Sequence, residues 1–184
     1  MLVSKAARRY AAALLQTATD DGATEKVLND ANLIKDTVLG SRELSQMLRS
    51  PVVKTDDKHA VLKALFEGKV QKRTFEVIEL VTRKKREALL ADIAQAYIEA
   101  YNIAAGIVEV EVMSASKLGS AQSKALQKSL ETRLSKKVNL TQTVDESLRG
   151  GIAVKIGDTI IDGTVKHGLD RLERQLLDSA VETN

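Results

Sequence analysis

Several residue types that carry chemistry are absent or scarce in this sequence. It contains no cysteine and no tryptophan, and its aromatic residues are three tyrosines and two phenylalanines among 184 residues. Without cysteine the chain forms no disulfide bond and offers no thiolate to a metal ion, which fits a reducing compartment. So few aromatic side chains form no platform on which nucleic-acid bases could stack.

Long apolar runs and clustered histidines are also missing. No apolar run approaches the roughly 20 residues that a membrane-spanning helix needs, so we expect no direct membrane insertion. His59 and His167 are the only histidines, and neither has a histidine or cysteine neighbour. The sequence therefore predicts no zinc site and no histidine-based catalytic triad, and we expect no metal and no cofactor.

The net charge is small and unevenly distributed. The formal charge of +3 comes from residues 1–105, whereas residues 106–184 are neutral. Binding to a phosphate backbone normally needs a dense basic face, so no nucleic-acid partner is expected. The N-terminal stretch MLVSKAARRYAAALL fits either a transit peptide or the start of a helix. We interpret it as a helix, because the same residues lead into a regular apolar stripe.

The first hundred residues show the periodicity of amphipathic helices. The first helix carries an apolar stripe formed by Ala7, Tyr10, Ala11, Leu14, Leu15 and Ala18. Five more helices are predicted, at Thr24–Gly40, between Ser41 and Pro51, at Thr55–Glu67, at Val70–Lys85 and at Leu89–Ala104. Thr24 and Ser41 are the expected N-caps of the first two of these helices. Six helices with short connections predict an antiparallel bundle over residues 1–105.

At Gly106 the apolar period changes from 3.6 to two residues. Valines alternate with glutamates in IVEVEV (107–112), which is typical of a half-buried strand. A helix at 120–136, a strand at 138–144, the stretch GGIAVKIGDTIIDG (150–163) and a closing helix follow. The order β-α-β-β-β-α predicts a small α/β domain over residues 106–184. The fold class is therefore α+β, mostly α.

The stretch GGIAVKIGDTIIDG holds four of the ten glycines. It could form a loop that binds phosphates or a tight hairpin, but it matches neither G-x-x-x-x-G-K-[ST] nor G-x-G-x-x-G. Apolar residues alternate on both sides of Gly157-Asp158, which favours two strands joined by a two-residue type II′ turn. Asp162 or Thr164 is then the expected N-cap of the closing helix.

Three groups of polar residues are candidates for chemistry. Asp145, Asp158 and Asp162 could act as acid/base carboxylates, but turn and capping roles are favoured, because no partner base accompanies them. The run Arg83-Lys84-Lys85-Arg86 is either a solvated helix terminus or a contact for an acidic partner, with one arginine a possible buried tie between helices. We expect no catalytic residue.

The first helix has a second face of small residues. Ala6, Ala13 and Thr17 lie beside the main stripe, and Tyr10 borders both faces. Such a surface either docks a partner helix or places this helix at the centre of the bundle, and periodicity does not separate the two.

These pieces together resemble one family, the δ subunit of F-type ATP synthases, equivalent to the mitochondrial oligomycin-sensitivity-conferring protein. The most specific motif is GGIAVKIGDTIIDGTVKHGLDRLERQL (150–176), and RRYAAALLQTA (8–18) and GIVEVEVMSASKL (106–118) support it. The signature residues are Arg86, Gly150, Gly151, Gly157, Asp158, Asp162, Gly163, Thr164, Leu169 and Leu172. Thr164 stands where the family usually has serine, and Arg149 where an apolar residue is common.

The resemblance implies a non-catalytic stator subunit of a proton-translocating ATP synthase, on the cytoplasmic face of the bacterial inner membrane. In this family the N-terminal bundle binds the N-terminal helix of an α subunit, between its first and fifth helices. The smaller domain binds the C-terminal region of the b-subunit stalk. Carried onto this sequence, the groove for the α helix is formed by Tyr10, Ala13, Thr17, Glu76, Leu80 and Arg83.

Two other classes of function compete with this one. A nucleic-acid-binding protein would use Arg83–Arg86 and the basic first helix, and its affinity would fall steeply with salt. An enzyme built around the glycine-rich stretch would be stabilised by its ligand. Neither explains why six helices precede an α/β domain with this C-terminal motif.

Overall fold

The computed structural model describes residues 4–181, with side chains for residues 4–172 and Arg174. Within these residues the fold is mostly helical, as the sequence predicted, and it includes a small mixed four-stranded sheet. The chain divides into two compact units between Ala104 and Ala105. We call them the helical unit and the C-terminal unit.

The helical unit contains α1 (Lys5–Asp20), α2 (Thr24–Gly40), α3 (Arg42–Arg49), α4 (Thr55–Phe66), α5 (Lys72–Arg83) and α6 (Leu90–Ala104), with a 3-10 turn at Glu87–Leu89 before α6. The C-terminal unit contains β1 (Ile107–Ser114), α7 (Ser120–Leu134), β2 (Lys137–Val144), β3 (Ile152–Ile156), β4 (Thr159–Asp162) and α8 (Val165–Val181), with a 3-10 turn at Glu146–Leu148. The antiparallel packing of all six N-terminal helices stays a prediction.

The core of the helical unit is built around α6, which packs against both α1 and α2. Tyr97 is fully buried there, and its hydroxyl donates a 3.2 Å hydrogen bond to the carbonyl oxygen of Thr24. Burial, and then the neighbouring Tyr101 and Asp30, raise the pKa of Tyr97 to about 12. On α1 the predicted stripe is buried at Ala7, Ala11, Leu14 and Ala18. Small residues let the helices approach closely.

The predicted N-cap at Thr24 is wrong, because Thr24 is the first residue of its helix and the N-cap position belongs to Ala23, which makes no side-chain cap. The helix start predicted at Thr55 is confirmed, since Thr55 is the first residue of α4. The predicted cap at Ser41 is confirmed, because its hydroxyl accepts a 3.2 Å hydrogen bond from the amide of Leu44. A threonine before an apolar run therefore marked each start to within one residue without supplying the cap.

Helix α5 is shorter than predicted at both ends. Its C-terminus closes at Arg83, because Lys85 adopts a left-handed φ of 55° and the amide of Arg86 bonds back to Val81. At the other end the helix is capped by Asp30 of α2. The Oδ2 atom of Asp30 accepts hydrogen bonds from the Gln71 amide at 2.8 Å and the Thr74 hydroxyl at 2.7 Å.

Replacing Asp30 with alanine is expected to lower the free energy of unfolding by about 2–3 kcal/mol, because two donors lose a charged acceptor in the interior. Asp30 is only 6% exposed. Chemical denaturation measures the loss, and Asp36→Ala on the exposed side of the same helix is the matched control. Equal effects from the two substitutions would contradict the capping role.

The sheet of the C-terminal unit has the strand order β2-β1-β3-β4. Strand β1 runs parallel to β2 and antiparallel to β3, and β3 runs antiparallel to β4. One face forms a core with Leu130 of α7, to which the strands contribute Val110, Val112, Val138 and Val154. Gln142 interrupts the apolar pattern of β2, and its side-chain amide donates a 3.1 Å hydrogen bond to the hydroxyl of Ser114.

The glycine-rich stretch is a hairpin, as predicted. Ile156 pairs with Thr159, which leaves Gly157 and Asp158 as a two-residue turn. Gly157 has a φ of 57°, whereas Asp158 keeps a negative φ. This is the φ pattern of a type II′ turn, whose first position favours glycine.

Candidate partner-binding surface

Helices α1 and α5 are packed side by side and run antiparallel. Near the start of α5, the Arg73 Nε atom lies 2.9 Å from the Asp21 Oδ2 atom at the end of α1. Just after α5 ends, the Arg86 guanidinium donates a 3.3 Å hydrogen bond to the hydroxyl of Tyr10, in the second turn of α1. The two contacts join opposite ends of the pair and fix its direction.

The predicted α1 residues occupy one side of that helix. Tyr10 is half-buried, while Ala13 and Thr17 are exposed. The hydroxyl of Thr17 donates to the backbone oxygen of Leu14 at 2.9 Å, so it is already satisfied within the helix. A partner helix can therefore approach this side over a small side chain without leaving a buried polar group unpaired.

The predicted α5 residues also share one exposed side. Glu76, Leu80 and Arg83 follow each other at intervals of four and three residues, which places them on one helical face. Leu80 is 39% exposed, which makes it a large apolar side chain on an otherwise polar face. We call the surface formed by Tyr10, Ala13, Thr17, Glu76, Leu80 and Arg83 the α1/α5 groove.

A small ion network closes one end of this groove. Arg73 bonds to Asp21 and, through its Nη1 atom, to Glu76 at 3.2 Å. The hydrogen bonds that Arg73 donates, first to Asp21 and then to Glu76, raise the pKa of Arg73. Sequence patterns did not reveal Arg73 and Asp21, since they are 52 residues apart and no local pattern pairs them.

The basic run after Leu80 is exposed at all four positions, from Arg83 to Arg86. Arg86 does tie two elements together through Tyr10, but it is not buried, so a buried arginine tie was the wrong expectation. Among the described side chains the buried cation is Lys58, whose Nζ atom lies 3.0 Å from Glu87 and 2.9 Å from the Leu48 carbonyl oxygen. This pair holds α3, α4 and the turn before α6 together.

The glycines and polar residues of the C-terminal signature form a tight turn, which we call the corner, where the β3–β4 hairpin meets the start of α8. A Cβ atom on Gly151 would lie 2.4 Å from the carbonyl oxygen of Gly163, so only glycine fits. The Asp162 carboxylate accepts from the Thr164 amide at 2.9 Å, and hydrogen bonds from Thr164 lower the pKa of Asp162. The hydroxyl of Thr164 in turn accepts from the His167 amide at 3.2 Å, which makes Thr164 the N-cap of α8.

An apolar stripe on α8 follows this corner. Val165, Leu169 and Leu172 are 49%, 50% and 52% exposed, although their spacing is that of a buried helical face. Ile160 and Ile161 of the neighbouring edge strand are also 57% exposed. The signature leucines therefore lie on the surface of the C-terminal unit.

The described residues contain no cluster of three or more His, Asp or Glu side chains able to hold a metal ion. Among the described helices, none is both long enough and apolar enough to cross a membrane.

The fold matches a chain in the cryo-EM structure of the Toxoplasma gondii mitochondrial ATP synthase hexamer. The TM-score is 0.73 at 24% sequence identity, over 95% of this chain and 98% of that one. A family model described as "ATP synthase delta (OSCP) subunit" matches residues 6–176. The chain is 43% identical to the ATP synthase subunit delta of Chlorobium phaeobacteroides, over 95% of this chain and 97% of the relative. It is 41% identical to that of Chlorobaculum tepidum, over 94% and 95% of the two chains.

The family model and the curated relatives define the chain as a structural subunit of a larger assembly. The chain belongs to the ATP synthase delta (OSCP) subunit family. It is accordingly a component of the peripheral stalk of ATP synthase, a heteromeric, membrane-associated complex.

Proposed function

We propose that this chain is a non-catalytic stator that links the catalytic head of the synthase to its stalk. The helical unit binds the N-terminal helix of an α subunit in the α1/α5 groove, and the C-terminal unit binds the C-terminal region of the b subunit. The complex lies on the cytoplasmic face of the bacterial inner membrane. By holding the α3β3 head still against the torque of the rotor, the chain lets proton flow drive ATP synthesis.

The observation that carries this proposal is the α1/α5 groove itself. Two packed antiparallel helices present a small exposed residue, Ala13 on α1, and an exposed leucine, Leu80 on α5, and the groove is held at both ends by side-chain contacts. An amphipathic helix that docks on preformed helices loses little conformational entropy. The joint is therefore stiff, which a stator needs.

The apolar stripe on α8 supports the second contact. Half-exposed leucines at positions 169 and 172 and the exposed isoleucines of β4 place large apolar side chains on the surface of the C-terminal unit. Exposed apolar surface of this kind commonly marks a protein interface. The C-terminal segment of the b subunit is the occupant we assign to it.

One titration with two ligands tests both contacts on the full chain. Ala13→Trp and Leu80→Asp are each expected to weaken binding of an α-subunit N-terminal peptide by about 100-fold, because a bulky or charged group enters the apolar contact. Both substitutions should leave binding of a C-terminal segment of the b subunit unchanged. Leu172→Asp should weaken binding of that b-subunit segment and leave binding of the α-subunit peptide unchanged.

Val61→Asp is the matched control for Leu80→Asp, since Val61 of α4 is 38% exposed and lies outside the groove. Circular dichroism checks that each variant is folded. Unchanged affinity for the α peptide after both Ala13→Trp and Leu80→Asp would remove the groove as its site.

A further inference from the structure

Six cations that have no ionic partner among the described residues lie at one end of the α1/α5 groove. They come from the first two turns of α1 and from the end of α5. They are Lys5, Arg8, Arg9, Arg83, Lys84 and Lys85, and all six are exposed. Because Arg86 bonds to Tyr10 across the antiparallel pair, the two groups of cations share the same end. We call these six residues the basic end.

Little negative charge offsets the basic end. Helix α1 has no acidic residue before Asp20. On α5, Glu79 faces His59 at 3.7 Å, and Glu87 after the helix is buried against Lys58. None of the six cations forms an ion pair with any residue that the structure describes.

The other end of the groove is nearly balanced in charge. Asp20, Asp21 and Glu76 lie there with Lys72 and Arg73, and Arg73 is already bonded to two of the three acids. The groove thus has a strongly positive end and a slightly negative one, with the exposed apolar residues Ala13 and Leu80 between them. A helix that docks in it meets different potentials at its two ends.

We propose that the groove recognises the charge pattern of its occupant as well as its apolar face. The occupant is an amphipathic helix whose acidic residues lie at the end that meets Arg9 and Arg83. This inference rests on the proposed function, in which that occupant is the α-subunit helix. Complementary charge favours one orientation, and the reversed helix would leave its acids beside Asp20 and Glu76.

Charge reversal at the basic end tests the proposal in the full chain. Arg9→Glu combined with Arg83→Glu is expected to weaken binding of the α-subunit N-terminal peptide about tenfold at about 20 mM salt, and by less than about threefold at about 500 mM salt, because salt screens exposed charges. The control is Lys35→Glu combined with Lys54→Glu, on α2 and just before α4, which should change the affinity by less than about twofold. A loss equal to that of the control, or one that does not depend on salt, would overturn the proposal.

A second measurement reports the orientation directly. The chain has no cysteine, so a single introduced cysteine carries a fluorophore at one known place. Ala88→Cys lies next to the basic end, and Thr19→Cys lies near the opposite end; both positions are exposed. A quencher on the acidic end of the peptide should quench the fluorophore at position 88 and not the one at position 19. The reverse pattern, or equal quenching, contradicts the proposal.

A peptide isomer completes the test. When the acidic residues of the α-subunit peptide are moved to its other end, the affinity at low salt should fall about tenfold. If Leu80→Asp abolishes binding while neither the isomer nor the charge reversal has an effect, the groove is the site and charge recognition is wrong. If the unmodified peptide does not bind, the proposed function fails and this inference fails with it.

Discussion

Replacing Lys58 with methionine is expected to lower the free energy of unfolding of the helical unit by about 3–5 kcal/mol. Lys58 and Glu87 form an ion pair at 3.0 Å, with side chains only 7% and 4% exposed. Methionine matches the length of the lysine stem but leaves the Glu87 carboxylate buried without a cation. The Oε2 atom of Glu87 already lacks a hydrogen-bond partner among the described residues, so nothing else there compensates its charge.

Tyrosine fluorescence during urea unfolding measures this loss of stability specifically in the helical unit. The chain has no tryptophan, and its three tyrosines all lie in the helical unit. Lys54→Met, at an exposed position four residues earlier, is the control and should change stability little. Lys58→Met combined with Glu87→Leu should recover most of the loss, because both charges are then removed together. If the double variant is as unstable as Lys58→Met alone, the pair is not the cause.

Alanine at Gly151 is expected to destabilise the C-terminal unit by about 3 kcal/mol or more, since it combines a steric clash with a strained backbone. The added Cβ would lie 2.4 Å from the Gly163 carbonyl oxygen and 2.9 Å from the Thr164 Cα atom, both backbone atoms that cannot rotate away. Gly151 also has a φ of 75°, which L-residues rarely adopt. Because this corner leads into α8, the N-cap at Thr164 should be lost with it.

Amide hydrogen exchange of β3 and β4 measures this effect, as the C-terminal unit contains no tyrosine. Substitutions at two other glycines separate the effect of the steric clash from the effect of the strained backbone. Gly157 has a φ of 57° but nothing within 4 Å of an added Cβ, so Gly157→Ala should cost only about 1–2 kcal/mol of backbone strain. Gly168→Ala, in open space within α8, should instead stabilise the helix by about 0.5–1 kcal/mol. Equal losses at positions 151 and 157 would argue against the clash.

The groove shows how far sequence reasoning reaches into the candidate site. Helical spacing alone places Tyr10, Ala13 and Thr17 on one face, because a 3.6-residue period determines which residues are neighbours on a helix. Their role in binding the α subunit stays a prediction that came from the family resemblance. The network of Asp21, Arg73 and Glu76 could not be found this way, since nothing local relates the end of α1 to the start of α5.

The sequence predicted which residues are buried on one helix and not on another. The apolar stripe of α1 predicted buried residues correctly at Ala7, Ala11 and Leu14. The same kind of stripe on α8 left Leu169 and Leu172 half exposed. Periodicity identifies an apolar face, but what covers the face depends on which elements pack there, and in an assembly the cover can be another chain.

The sequence by itself determined the features that depend on neighbours along the chain. These are the helical and strand periods, the change of period at Gly106, the Gly157-Asp158 turn and the absence of any thiol chemistry. Tertiary structure alone decided how distant residues meet: Asp30 caps a helix that starts 42 residues later, and Lys58 finds Glu87. The physical reason is that propensity and turn geometry act over a few residues. A buried charge, by contrast, takes whichever partner the packing of several helices brings within hydrogen-bond distance.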